Sequence, residues 1–240
     1  MATLAAPRTQ WQADRRFFTG IAAAMVAATF IGFAPTYYLS RFTGAPPLGP
    51  LVHLHGVVFS AWMLLFLAQA GLIAARRTDI HRVAGVAVAG VAVAVVVIGV
   101  LVAIESGRLG HGPPDRHQPS FLVLPLTNML LFAILTALGV RFRRRSDYHK
   151  RLMLLATMGL VITPLARVSR MLEIPLFPPV GGMLLSDLFL AALAAFDIRR
   201  RGSLHPVTLW AGGAFLASQP LRIAVGRTEA WQDFARLLIG

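Results

Sequence analysis

The sequence predicts an all-α membrane protein, a helical bundle of about seven transmembrane helices. Two observations predict this class. Hydrophobic residues make up 56% of the 240-residue chain and charged residues only 14%, against about 25% charged in a typical soluble domain. Apolar stretches of the ~20 residues that a helix needs to cross a bilayer recur along the whole chain. We therefore expect a single integral membrane domain over residues 1–240, with no separate globular domain.

Seven apolar segments are long enough to act as spans. They lie near residues 17–39, 51–75, 82–104, 119–140, 150–168, 181–198 and 206–224. After the last one, Thr228 is a residue type that caps helices, and apolar side chains then recur at helical spacing. These are Trp231, Phe234, Ala235 and Leu238. The pattern predicts a short helix over 228–239 that lies in the membrane interface.

The basic residues predict the orientation. The net charge is +13, and every basic residue except Lys150 is an arginine. Most of them fall in the N-terminal segment and in three loops, near 76–82, 141–151 and 199–201. By the positive-inside rule the N-terminus is cytoplasmic and the C-terminus outside, and we expect anionic lipids at the arginine clusters. Nucleic acid is not an expected partner, because no basic soluble domain could bind it.

Three basic clusters each lead into a histidine at the mouth of an apolar segment. These basic-His elements cover 76–82, 143–150 and 199–205. Their histidines are His81, His149 and His205, respectively. The first two share the pattern Ser/Thr-Asp-x-His-Arg/Lys. Two interpretations stay open: interfacial histidines beside capped helices, or a set of imidazole ligands for haem iron or a divalent metal.

The capping residues of the first two elements follow from residue type. Serine, threonine and aspartate are good N-caps. We therefore expect Thr78 or Asp79, and Ser146 or Asp147, to cap the helices that follow. Each histidine would then lie in the first helical turn.

Polar residues form a stripe on the second span. His55, Trp62 and Gln69 are spaced by seven, which keeps them on one helical face. A glutamine facing lipid is costly, so this face should look into the bundle. His53 is two residues from His55 and cannot share its face; we favour His55 as the residue on the stripe. A structural, hydrogen-bonded histidine is the alternative.

A second polar group is expected in the outer half of the bundle. Its members are Asn128, Arg167, Arg170, Asp187, Gln219 and Arg222. An unpaired carboxylate at that depth would be unfavourable, so Arg167 or Arg222 is the predicted partner of Asp187. A surplus arginine there could bind an anionic group, and purely structural ion pairing is the alternative. Together with His53, Trp62 and Gln69, these residues are candidates to line a polar cavity.

Several chemistries are excluded by the residues that are missing. Cysteine is absent, which excludes disulfides, thiolate metal sites and cysteine catalysis. The chain has no GxSxG, HExxH or P-loop pattern. The only lysine, Lys150, lies at the interfacial end of the fifth predicted span and not in its apolar part, so a retinal Schiff base is excluded.

One resemblance covers roughly residues 50–170. Leu51-Val-His-Leu-His-Gly56, Trp62, Gln69 and His81-Arg-Val-Ala-Gly85 are followed by Asp147-Tyr-His-Lys-Arg-Leu-Met153 and Arg167. This set resembles a family of bacterial multi-pass membrane proteins defined only as a domain of unknown function, with a His…Gln…His-Arg-x-x-Gly hairpin. The resemblance implies a fold class and a bacterial membrane, but no activity.

A more distant resemblance concerns the histidines on successive helices. These resemble the haem-binding cytochrome b and ferric-reductase-like membrane proteins. The resemblance implies one b-type haem between His81 and His149, with His55 as an outer candidate. Unlike in those proteins, the inner histidines lie at helix mouths.

Three functions are therefore compared. The first is a haem or metal redox protein with a redox partner, using His81, His149 and, for a metal, His205. The second is a transporter or small-molecule binding protein with a polar cavity in its outer half. The third is a non-catalytic membrane assembly protein, and the residues leave open whether the chain is an enzyme.

Overall fold

The computed structural model describes residues 6–110, 118–174 and 178–240, and within these ranges every regular element is helical. The helices are α1 (Ala6–Phe33), which a π-helical turn (Ala34–Tyr38) continues, α2 (Ser40–Thr43), α3 (Pro50–Ala74), α4 (Thr78–Arg108), α5 (Gln118–Arg141), α6 (Ser146–Met171), α7 (Pro178–Arg201), α8 (Pro206–Gly226) and α9 (Glu229–Ile239). The expected all-α class is confirmed.

Six helical segments of the described chain are long and apolar enough to cross a membrane. They are Trp11–Tyr38, Pro50–Ala74, Thr78–Arg108, Pro119–Arg141, Ser146–Met171 and Val180–Arg201. The chain is thus a multi-pass membrane protein. Each span overlaps one predicted apolar segment to within a residue at its apolar end or contains it, and most are longer than expected because the helices continue into their polar ends. The predicted span 206–224 lies within α8, a 21-residue helix that is not among the six.

Helix α6 lies at the centre of the bundle. It packs against α1, α5, α7 and α8, and its side chains are buried over nearly its whole length. Helix α3 packs on α1 and α4, whereas α8 packs more extensively on α5 than on α7. The largest fully buried side chains of the described residues include Met25, Trp62, Phe132, Leu154, Leu155, Met158, Leu193 and Phe215. This core holds the polar groups described below in fixed positions.

The contact between α1 and α6 requires a glycine. A Cβ atom on Gly32 would overlap the backbone carbonyl of Pro164. Pro164 lies inside α6, where the proline ring is expected to kink the helix. The absence of a side chain at Gly32 lets the two backbones approach closely, as small residues do between membrane helices.

The three basic-His elements meet at one end of the bundle, which we call the basic end. The rings of His81 and His149 are 6.2 Å apart, and Asp147 is hydrogen-bonded to His205. Lys150 also pairs with Asp14 of α1. The opposite end, where α1 finishes and α3 begins, is the cavity end.

The expected capping of these helices is wrong. Helix α4 begins at Thr78 and α6 at Ser146, after Arg77 and Arg145, whose side chains make no capping hydrogen bond. The two histidines are the fourth residues of their helices, within the first turn as expected. His205 differs, because it is itself the N-cap of α8, its Nδ1 accepting from the backbone N–H of Val207 at 3.1 Å.

Helix α9 closes the chain at the cavity end. The hydroxyl of Thr228 caps it by accepting from the N–H of Trp231 at 3.3 Å, as expected. Ala235 is fully buried, in a cluster with Ala103 of α4 and Leu122 of α5. Leu237 is 84% exposed, which gives the helix one face on the bundle and one apolar face turned away from it.

Candidate functional site

A cavity of about 580 Å³ opens at the cavity end. It lies between the parts of α1, α3, α4, α5 and α6 at this end of the bundle, with Met183 contributed by α7 and Arg222 by α8. Most of its walls are apolar. Its charged and strongly polar lining residues are Tyr37, Tyr38, His55, Asn128, Arg167, Arg170 and Arg222. The structure thus brings together His55, Asn128 and the three arginines that the sequence singled out.

The π-helical turn at the end of α1 forms one wall, which the sequence analysis did not identify. Tyr38 shares a 2.5 Å hydrogen bond with Ser60 of α3, and Ser60 donates to the carbonyl of Gly56 at 2.6 Å. Such turns often occur at functional sites. The sequence Ala34-Pro-Thr-Tyr-Tyr38 gives little signal for this wall, because tyrosine is common where a span meets the membrane interface.

The three arginines of the cavity have different environments, since Arg222 is buried, Arg167 is half-buried and Arg170 is exposed. Arg222 is 4% exposed and donates to Asn128 and, at 3.0 Å, to the hydroxyl of Ser218. Its buried Nε has no hydrogen-bond partner. Arg167 donates to Thr36 at 3.0 Å and lies 4.7 Å above the ring of Phe33. These described partners are neutral groups.

The predicted ion pair of Asp187 is wrong. Its Oδ1 accepts a 2.7 Å hydrogen bond from the amide of Gln219. Among the described residues, neither Arg167 nor Arg222 has a carboxylate within ion-pair distance. Asp187 and Gln219 do not line the cavity, and no described Asp or Glu does. The reason is that α8 supplies an amide one turn from Arg222, which satisfies the carboxylate without a charge.

The His55–Trp62–Gln69 stripe faces the interior. His55 lines the cavity and stacks on Phe59 at 3.9 Å. Trp62 is 1% exposed and packs edge-on against Phe132, with its indole N–H unpartnered. Trp62 and Gln69 are not lining residues of the cavity. Gln69 lies at the far end of the stripe, ~21 Å along the helix axis from His55.

His53 lies apart from the stripe. Its side chain is exposed, and its backbone carbonyl accepts a 3.2 Å hydrogen bond from the hydroxyl of Tyr37. This is the outcome that the two-residue offset from His55 predicts.

Gln69 adjoins His81 of the basic end. The ring of His81 interacts with the backbone of Gln69, and the ring of His149 is 6.2 Å away at nearly a right angle. The Nδ1 of His149 is 2.8 Å from the carbonyl oxygen of Gly139. A carbonyl only accepts, so this nitrogen donates, and in the neutral imidazole Nε2 keeps a free lone pair.

His205 belongs to a different cluster. Its Nδ1 accepts from Val207, so Nε2 carries the proton and donates to Asp147 at 3.1 Å. Both ring nitrogens of His205 therefore have hydrogen-bond partners. His205, the third candidate metal ligand, thus has no free lone pair. Among the described residues, no group of three or more His, Asp or Glu side chains could hold a metal ion.

A buried ion pair, not identified from the sequence, supports this cluster. Arg151 and Asp197 are 3% and 0% exposed and pair directly. Asp197 also accepts from the hydroxyl of Thr208 and, at 3.2 Å, from the backbone N–H of His205. In the sequence Asp197 lies just before the arginine run, and no pattern distinguishes it from other charged residues at the end of a span.

The pKa of His205 lies below its ordinary value of 6.5. Burial is the largest cause, because it disfavours the charged imidazolium. The hydrogen bond to Asp147 opposes the shift, and the charges of Arg151 and Arg201 add to it. The neutral form is therefore the one that this cluster accommodates.

The two sites lie at opposite ends of one bundle and differ in chemistry: an arginine-lined cavity and a pair of imidazoles with free lone pairs. Comparison with known protein families, with curated proteins and with solved structures gives no significant match. The geometry of these two sites and the six candidate spans therefore carry the functional conclusions, which begin from a multi-pass helical membrane protein.

Proposed function

We propose that this protein binds an anionic, largely apolar small molecule in the cavity, as a binding protein or as part of a transport cycle. The observation that carries the proposal is the charge of the lining. Three arginines line the cavity and no described carboxylate does.

Uncompensated cations are costly at membrane depth. Arginine inside a bundle normally pairs with a carboxylate or faces a polar pathway. Arg222 has only an amide and a hydroxyl as partners, and one of its buried nitrogens has none. Arg167 and Arg170 are close enough to repel each other. An anionic ligand supplies the missing charge, and a carboxylate, sulfate or phosphate suits the guanidinium donors.

The rest of the cavity favours an apolar ligand body. Its size falls in the range of about 300–1,000 Å³ that is typical of small-molecule sites. Side chains such as Phe59, Met63, Leu122 and Ile162 form the walls. A mostly apolar pocket with a few convergent polar groups is the usual form of a ligand site. An amphiphile with an anionic head satisfies both parts.

Thermal unfolding of the full-length protein in a non-ionic detergent tests this function. The probes are dodecyl phosphate and a dodecyl trimethylammonium salt, which have the same chain and opposite charge. Because binding to the native state stabilises it, dodecyl phosphate should raise the melting temperature in a saturable way and the cationic probe should not. Arg222→Gln should weaken the response at least tenfold in probe concentration.

Arg227→Gln is the matched control. Arg227 follows α8, is exposed and is not a lining residue, so its loss should leave the response unchanged. Equal responses to both probes, or equal loss in Arg222→Gln and Arg227→Gln, would contradict an arginine-lined anion site.

Helix α8 is proposed as a seventh span. Its polar side chains Thr208, Gln219 and Arg222 are all buried, so they are withdrawn from lipid. This count agrees with a cytoplasmic N-terminus and an external C-terminus, as the basic loops indicate. The bacterial inner membrane is proposed as the location, with anionic lipids contacting the arginine clusters of the basic end.

Labelling of single cysteines tests this topology, since the chain has no cysteine of its own. Ser203→Cys and Arg227→Cys flank α8 at exposed positions. A membrane-impermeant maleimide should label Arg227→Cys in spheroplasts, and should label Ser203→Cys only after permeabilisation. Labelling of both from one side would exclude α8 as a span, and the reverse pattern would invert the orientation.

A further inference from the structure

The histidine pair at the basic end is independent of the cavity and has no structural partner for its free nitrogens. His81 and His149 enter from different helices, α4 and α6. The Nδ1 of His81 is buried without a hydrogen-bond partner. The side-chain oxygen of Gln69 is likewise buried and unpartnered. Unsatisfied buried acceptors are rare in proteins and call for an explanation.

The orientation of His149 is that of a metal ligand. Its Nδ1–H donates to the backbone carbonyl of Gly139 at 2.8 Å. A ligating histidine almost always donates its other nitrogen to a carbonyl or carboxylate in this way, which fixes the ring and the tautomer. The free Nε2 of His149 and the free Nδ1 of His81 are then both available as acceptors.

The distance between the rings of His81 and His149 also fits a shared metal ion. A coordinating nitrogen lies about 1.1 Å from its ring centre, so two imidazoles bound at about 2.0–2.1 Å to one ion have centres up to about 6.3 Å apart. The observed separation is 6.2 Å. At this separation one ion bridges the two rings when the coordinating nitrogens lie on nearly opposite sides of it.

We propose that His81 and His149 bind a first-row transition-metal ion directly, with the side-chain amide oxygen of Gln69 as a neighbouring third donor. Two imidazoles on opposite sides of the ion, with an oxygen beside them, suit Cu²⁺ or Ni²⁺, for which square-planar or tetragonal sites of nitrogen and oxygen are typical. Since the chain lacks cysteine, no thiolate competes.

Copper(II) is the probe, because it binds most tightly among these divalent ions and is paramagnetic. The full-length protein, purified in detergent through a tag without histidine, is titrated with Cu²⁺ and followed by electron paramagnetic resonance. We expect about one tight Cu²⁺ per chain, with nitrogen superhyperfine structure from two imidazoles. His81→Gln and His149→Gln should each weaken binding at least tenfold and remove one nitrogen from the pattern.

His53→Gln is the matched control, because His53 is exposed at the cavity end, and it should leave the spectrum and affinity unchanged. The nitrogen pattern is measured on the wild-type protein. It therefore tests the proposal even where a variant fails to fold. A wild-type spectrum without imidazole nitrogens would overturn the proposal. So would unchanged Cu²⁺ affinity in both His81→Gln and His149→Gln. A Soret band in the purified protein that both variants lose would assign the pair to haem iron and overturn the directly bound ion.

Discussion

The imidazole of His205 and the carboxylate of Asp147 are hydrogen-bonded at 3.1 Å although 58 positions separate them in the chain. This bond joins the N-cap of α8 to the first turn of α6. The second and third basic-His elements are therefore in contact. His205 holds the helix ends together, whereas the Nδ1 of His81 is buried without a hydrogen-bond partner.

Acid should destabilise the fold through His205. Its folded pKa lies below 6.5 because of burial, so the unfolded chain binds a proton more readily, and stability falls as pH drops through 6.5 toward the folded pKa. The melting temperature in detergent should be lower at pH 5.5 than at pH 7.5. Asparagine also caps helices well, so His205→Asn should reduce this difference. His53→Asn should retain it; an equal reduction in both variants would contradict the assignment.

Breaking the Arg151–Asp197 pair should be strongly destabilising. Asp197→Asn leaves a buried guanidinium without its counter-charge, which costs about 3–5 kcal/mol and lowers the melting temperature by roughly 10 °C. Asp79→Asn is the control, since the Arg77–Asp79 pair is exposed and should contribute little. Differential scanning fluorimetry measures both. Similar melting temperatures for the two variants would show that the buried pair is not a stabilising contact.

The close contact of α1 and α6 should not tolerate a side chain at position 32. Gly32→Ala places a methyl group against the carbonyl of Pro164 and should cost about 1–3 kcal/mol by overpacking. Gly20, on the same helix, has open space around it. Gly20→Ala should be neutral or stabilising, because alanine favours the helix. Thermal unfolding of the two variants separates a packing requirement from a general intolerance of α1 to substitution.

The hydrogen bonds of Asp187 and Arg222 predict different effects of substitution on the free energy of unfolding. Asp187→Asn keeps an oxygen that can accept from Gln219 and should change stability little. Asn128→Leu removes an acceptor from the buried Arg222 and should cost about 1–3 kcal/mol. Denaturant unfolding in detergent measures both. The reverse order would indicate that Asp187 compensates Arg222 after all.

Only some of the cavity residues could be predicted from the sequence. Arg167, Arg222 and His55 could be chosen because a polar side chain in an apolar span is costly and therefore conspicuous. The tyrosines of the π-helical turn could not be chosen in this way, because aromatic residues are common at span ends. Ser60 could not be chosen either, because its hydroxyl can donate to a carbonyl of its own helix, as it does to Gly56. Their role depends on α1 and α3 lying side by side.

Pairing was the part that the sequence could not predict. Asp187 had two arginines and an amide within plausible reach, and only the rotation of α7 and α8 about their axes selects Gln219. Asp197 was not identified, because its partner Arg151 is 46 positions away. Asp147 was expected to be an N-cap and is instead the hydrogen-bond partner of His205. The cause is the same, because these two residues are also far apart in the chain.

The sequence by itself determined the helical membrane class, the positions of the spans and the grouping of basic residues, since these follow from local hydropathy and charge. Only the tertiary structure decided which polar groups meet: arginines without carboxylates at the cavity end, and His81 with His149 at the basic end. The physical reason is that a side chain's partner depends on helix rotation and spacing. These are set by packing around α6, through contacts such as Gly32 with Pro164 that involve residues far apart in the chain.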